Sequence, residues 1–224
     1  MSHQSSSTAS GLLFVAVALA AVITPTNPTE YVLDPTASEV IIDVGKTGLL
    51  AFLGHTHEVA APVAEGTVRF DRENPARSTL RVVFEAGALR VTGRGEPAAD
   101  VPEVQRTMES AEVLNVARFP RIVFASREIR VIEHEAPRLR LRISGDLALH
   151  GITRTKTADV LVNVEPDRLI ATGTLVVKQT DFGIEPVRAG AGTVRVRDDV
   201  RVRFSLVAMP LEAVRRGLRV TPPF

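Results

Sequence analysis

From Val40 onward, apolar and polar residues alternate with period two. Val40/Ile42/Val44, Val68/Phe70, Leu80/Val82/Phe84, Leu139/Leu141/Ile143, Val160/Val162/Val164 and Val200/Val202/Phe204 each form one apolar row. The intervening positions are often charged, as in Arg138-Leu139-Arg140-Leu141-Arg142-Ile143, and Gly, Pro and Asp punctuate the rows. Successive strand side chains point to opposite faces, so this pattern predicts antiparallel strands with one covered face. Many such strands without a long helical stretch predict an all-β fold, either a sandwich or a closed barrel. Periodicity alone leaves that choice open.

Three local departures refine the picture. The row at Ile122 and Phe124 returns at Ile129 and Val131 with the opposite parity. A one-residue slip would turn half of that strand inside out, so a β-bulge is predicted between Ser126 and Glu128. Asp100-Val101-Pro102-Glu103 starts a helix, with Asp100 as N-cap acceptor and Pro in the first turn. Val101, Val104, Met108 and Ala111 then recur at helical spacing. This predicts one short helix over about 101–112, placed across a barrel mouth. A second, weaker helical pattern covers Leu211–Leu218, with Arg215, Arg216 and Arg219 giving it a basic end. It reads as a surface cap or, alternatively, a lipid-headgroup contact.

Composition narrows the function classes. The 224 residues are 45% apolar and 24% charged, with 27 basic and 26 acidic side chains and a net charge of +1. That is enough chain for one domain with a sizeable core, and too balanced a charge for a nucleic-acid reader. There is no Cys and no Trp, which excludes disulfides, thiolate metal sites and cysteine catalysis. Gly11 to Ile23 is an apolar run of signal-peptide length, shorter than the roughly 20 residues a spanning helix needs, and Ala18-Leu19-Ala20 offers a cleavage pattern. No Lys or Arg precedes it. Residues 1–30 are therefore read as a signal peptide or uncleaved anchor plus linker, and the protein as exported to the periplasm or another extracytoplasmic space; a cytoplasmic protein with an N-terminal helix is the alternative.

The candidate chemistry is sparse. His55-Thr56-His57 is the one constellation with ligand spacing, because residues i and i+2 of a strand share a face. The pair reads either as hydrogen-bonding groups at a barrel end or as metal or haem ligands that lack an obvious third partner. His150 has the parity of Ser144, Asp146 and Ala148, opposite the row through Leu147 and Leu149, and is expected to point to solvent at a turn. No serine sits in a nucleophile elbow. Asp198 and Asp199 face opposite sides of a strand, a poor acid/base pair. Ala189-Gly190-Ala191-Gly192-Thr193 matches no phosphate-binding fingerprint and reads as a hairpin connection. Phe70, Phe84, Phe124 and Phe204 face inward by phase, with Phe182 nearby; they either fill the core or line a ligand space.

Five ordered motifs resemble one family. Phe119-Pro120-Arg121-Ile122-Val123-Phe124-Ala125-Ser126 pairs with Ser144-Gly145-Asp146-Leu147-Ala148-Leu149-His150-Gly151-Ile152-Thr153-Arg154. Tyr31-Val32-Leu33-Asp34-Pro35, Glu65-Gly66-Thr67-Val68-Arg69-Phe70-Asp71 and Thr180-Asp181-Phe182-Gly183-Ile184 fall in the expected order. Together they resemble the YceI-like family over residues 31–208, with 209–224 left as a C-terminal tail. The resemblance implies a lipocalin-like antiparallel β-barrel that holds a polyisoprenoid lipid in an apolar interior lined by Phe70, Phe84, Phe124, Leu139, Leu141, Ile143, Phe182 and Phe204. It implies a binding protein and no enzyme. Two departures stand out. The polar segment between the family's central strands is largely replaced here over residues 93–115, and Gly54-His55-Thr56-His57 resembles a GHxH branch. Two rival readings are a metal- or haem-associated redox accessory using His55 and His57 beside a membrane cytochrome, and a filled barrel acting through its surface.

Overall fold

The computed structural model describes residues 28–47, 57–94, 97–189 and 194–219. The expected export segment, His55 and the glycine-rich stretch after Ala189 lie outside the described residues. The strands are β1 (Thr29–Leu33), β2 (Glu39–Thr47), β3 (His57–Ala60), β4 (Glu65–Phe70), β5 (Thr79–Glu85), β6 (Arg90–Val91), β7 (Arg121–Glu135), β8 (Arg138–Leu149), β9 (Ile152–Val164), β10 (Leu169–Lys178), β11 (Arg188–Ala189) and β12 (Val194–Pro210). Among the described residues two α-helices accompany them, α1 (Val101–Glu109) and α2 (Leu211–Arg219).

Eight strands close on themselves in the order β1-β4-β5-β7-β8-β9-β10-β12, with β12 returning to β1, and every pairing is antiparallel. Closure removes the open edges that would otherwise expose unpaired backbone groups. On the edge away from β10, the 17-residue β12 serves two partners: its last residues pair with β1, as Tyr31↔Pro210, and its middle with β2, as Val202↔Ile42. From β2 the sheet continues through β3 to the two-residue β6. The six predicted apolar rows all face the interior. Val40, Phe70, Val82, Leu139, Leu141, Ile143, Val160, Val162 and Val200 are buried, and the rows' remaining members are half-buried against the same core.

The predicted bulge is present: the β7–β8 register shifts between Ser126 and Glu128. Arg127 is the extra residue and reaches outward to Asp146 at 2.6 Å. Ile129 is thereby returned to the interior, 6% exposed. A second shift, between Val131 and Glu133, was not predicted. Val131 is 37% exposed and Ile132 44%, because the β5 ladder ends at Arg81↔Ala125 and this part of β7 pairs with β8 alone.

The first helix ends at Glu109, three residues before the predicted end, and leaves Ala111 exposed. Asp100 occupies the N-cap in a helical conformation, and its side chain makes no capping bond. Val101, Val104 and Met108 pack on the core as their spacing predicts. The C-terminal helix runs to Arg219, packs against β1 and β12, and pairs Arg215 with Glu212 at 3.1 Å.

His150 and Gly151 form the β8–β9 turn with φ of 51° and 74°, the primed geometry that matches the right-handed twist of a hairpin. The turn role holds, but the solvent orientation does not. His150 is half-buried, its Nδ1 lies 3.1 Å from the Phe182 carbonyl and its ring meets Phe119 edge-on at 4.8 Å. A positive φ redirects the side chain away from the strand's alternation, so parity could not place it.

Candidate functional site

The barrel encloses an apolar cavity of about 300 Å³. Its wall is built from the inward rows of the barrel strands, with Met108, Val113 and Leu114 of α1 and the turn after it contributing at one end. Of the predicted ligand residues, Phe70, Phe84, Phe124, Leu141, Ile143 and Phe204 lie on this wall.

Leu139 and Phe182 do not. Leu139, one residue into β8, is 3% exposed and packed into the core away from the cavity. Phe182 belongs to a single 3-10 turn after β10, Thr180–Phe182, and is 0% exposed. There it packs with Leu147, Val177 and Ile184 in a separate cluster, with the Lys156 ammonium 5.5 Å above its ring. Strand phase cannot locate a residue that is not in a strand.

Leu33, Val59 and Met108 line the cavity and were not among the predicted ligand residues. Each carried a signal. Leu33 is in the first motif, Val59 shares the parity of His57, and Met108 is on the apolar face of the predicted helix.

The wall has almost no polarity. Among the described residues no ionisable side chain reaches it, and its polar members are Ser78, Thr79 and Gln179. The Ser78 hydroxyl already accepts the Asp71 amide at 3.0 Å, and Gln179 Nε2 donates to the Arg197 carbonyl at 2.8 Å. The described part of the wall is therefore apolar. It can exclude water and bind apolar surface, for which each buried methylene contributes about 0.8 kcal/mol.

Doubly hydrogen-bonded ion pairs lie on the outside. Arg142 clamps Asp159 with two bonds of 2.7 and 2.9 Å, and Arg203 clamps Asp43 at 2.7 and 3.0 Å. The guanidinium hydrogen bonds hold both carboxyls below their ordinary value. Asp198 is also lowered, first by the Thr180 backbone N–H it accepts at 2.9 Å.

His57 lies on β3 opposite Val44 and is half-buried. With His55 outside the described residues, the metal reading keeps one described ligand. Among the described residues no group of three His, Cys, Asp or Glu side chains is placed to hold a metal ion. No helix of the described residues is long and apolar enough to cross a membrane.

Comparison with known proteins agrees with this geometry. The UPF0312 protein of Enterobacter sp. (strain 638) is 32% identical over 95 residues, 42% of this chain and 43% of that protein. The YceI protein of Salmonella arizonae is 30% identical over the same length and the same shares. The chain thus spans less than half the length of the curated relatives it matches. Among solved structures, Burkholderia cenocepacia BcnA superposes with a TM-score of 0.61 at 17% identity, over 79% of this chain and 99% of that one. A polyisoprenoid binding domain from Saccharophagus degradans, implicated in plant cell wall breakdown, gives 0.57 at 13% identity, over 82% and 99%. At these identities the likeness is one of fold. The family model for the YceI-like domain matches residues 31–208, the span that contains the closed barrel and its cavity, and the chain accordingly belongs to the YceI-like family.

Proposed function

We propose that this protein binds a long-chain polyisoprenoid lipid, such as a polyprenyl quinone or polyprenyl phosphate, in its barrel and makes or breaks no bond in it. The observation that carries the reading is the wall of aliphatic and phenylalanine side chains, with no ionisable group on it among the described residues. The cavity has about twice the roughly 150 Å³ of an engineered apolar cavity that takes up a benzene ring. Two prenyl units, ten carbons, would contribute about 8 kcal/mol before the costs of association. Affinity then scales with buried chain and needs no dedicated headgroup contact.

The physical role is sequestration or carriage of an insoluble lipid through an aqueous compartment. An N-terminal segment of signal-peptide length fits an exported carrier, and the fold relative from S. degradans is a polyisoprenoid binding domain. Mass spectrometry of organic extracts from the purified protein tests the proposal. A stoichiometric isoprenoid is the expected result; a protein that carries none, and takes up none when supplied with it, overturns the reading.

A further inference from the structure

Three inward positions of the barrel are glycines, and each lies beneath a large side chain of a neighbouring strand. Gly66 of β4 lies under Leu33 of β1, Gly145 of β8 under Phe124 of β7, and Gly173 of β10 under Phe204 of β12. Gly173 and Phe204 are direct cross-strand partners. A Cβ on Gly173 would lie 2.5 Å from Phe204 Cζ and 3.1 Å from its Cε2. A Cβ on Gly145 would lie 2.6 Å from Phe124 Cζ, and one on Gly66 would collide with the Leu33 side chain. Leu33, Phe124 and Phe204 all form cavity wall.

The tips of both rings therefore occupy the volume that a side chain on the facing strand would fill. Glycine in a strand interior weakens it and often marks a close approach by another group. Here the approaching groups are one leucine and two of the wall's phenylalanines. With any larger residue at these positions, the rings would be displaced toward the barrel axis, and a cavity of about 300 Å³ has little room to absorb two phenyl groups.

We propose that Gly66, Gly145 and Gly173 are specificity-determining positions, which seat Leu33, Phe124 and Phe204 back against the wall and so set the bore that limits the length of apolar chain the barrel admits. This rests on the lipid-binding reading and adds to it the residues that fix its size selectivity. Gly173–Phe204 is the pair to test, because at Gly145 a Cβ would also meet the Ala125 carbonyl at 2.5 Å and disturb the backbone.

The experiment presents wild type, Phe204→Leu, Gly173→Ala and the double variant with farnesol, geranylgeraniol and solanesol, polyprenols of rising length, and counts retained lipid by native mass spectrometry. Phe204→Leu is expected to raise retention of solanesol relative to farnesol by about tenfold, the scale on which hydrophobic pockets discriminate size. Gly173→Ala shifts the ratio the other way, and the double variant returns it toward wild type. Since a Cβ at Gly173 also comes within 2.9 Å of the Asp159 carbonyl, Phe204→Leu decides the matter if Gly173→Ala does not fold. An unchanged ratio in Phe204→Leu, with wild type binding normally, overturns this inference alone. A wild type that retains none of the three overturns the lipid-binding reading and this inference with it.

Discussion

Gln105 completes the hydrogen bonding of Val91. Its Oε1 accepts the Val91 N–H at 2.8 Å while its Nε2 donates to the Leu89 carbonyl at 2.9 Å. The side-chain amide thus acts as a one-residue strand on the free edge of β6, the last strand of the extension that leaves the barrel through β2 and β3. It also fixes α1, whose Met108 is part of the cavity wall.

Replacing Gln105 with Leu is expected to cost about 1–3 kcal/mol, because a partly buried backbone pair loses its partners. The loss should be local. Hydrogen exchange at the Val91 amide should accelerate well before global unfolding, while amides in the β8–β9 ladder keep their protection.

Ser126 has a comparable role at the predicted bulge. Its hydroxyl accepts the Leu80 N–H at 2.8 Å, just past the last β5–β7 backbone pair, Arg81↔Ala125. Ser126→Ala should lower stability by about 1–2 kcal/mol in urea denaturation. Arg127→Ala, which alters only the outward bulge residue and its exposed pair with Asp146, should change it little.

Phe182 and Phe84 separate packing from lining. Phe182 is fully buried behind the wall residues Leu147, Val177 and Ile184, and Phe182→Ala should cost about 3–5 kcal/mol. Phe84 is half-buried and already borders empty space, so Phe84→Ala removes fewer contacts and should cost less than half as much. Its larger effect should be on retained lipid. Chemical denaturation paired with lipid extraction of both variants checks the contrast.

The outer ion pairs set an acid limit. Asp43 and Asp159 titrate lower in the fold than in the unfolded chain, chiefly through hydrogen bonds from Arg203 and Arg142. A depressed carboxylate contributes stability that is complete above the unfolded value, about 3.9, and is lost as pH falls through the folded one. The urea midpoint should therefore drop below about pH 4. In Asp43→Asn it should be lower at neutral pH and fall less steeply in acid. Equal slopes for the two proteins would show that Asp43 does not take part.

Local features were legible because their causes are local. Period-two rows identified the inward face of β2, β4, β5, β8, β9 and β12, opposite parity at Phe124 and Ile129 located the bulge to the residue, and apolar spacing found both helices. The failures share a cause too. Asp100 looked like a cap, but its backbone is helical and its carboxyl makes no capping bond; His150 obeyed turn geometry in place of strand alternation; Phe182, placed by its motif, sits in a 3-10 turn outside the strands.

What the chain determined alone was the set of side chains that must be inside, since alternation sorts each strand into two faces before any strand has met another. Tertiary structure decided which of them surround a void. Leu139 and Leu141 are identical in chemistry and parity, yet one packs into solid core and the other borders the cavity. A void exists only where strands distant in sequence fail to fill the space between them. At Gly173 that depends on a phenylalanine 31 positions further along, brought opposite by the β10–β12 register.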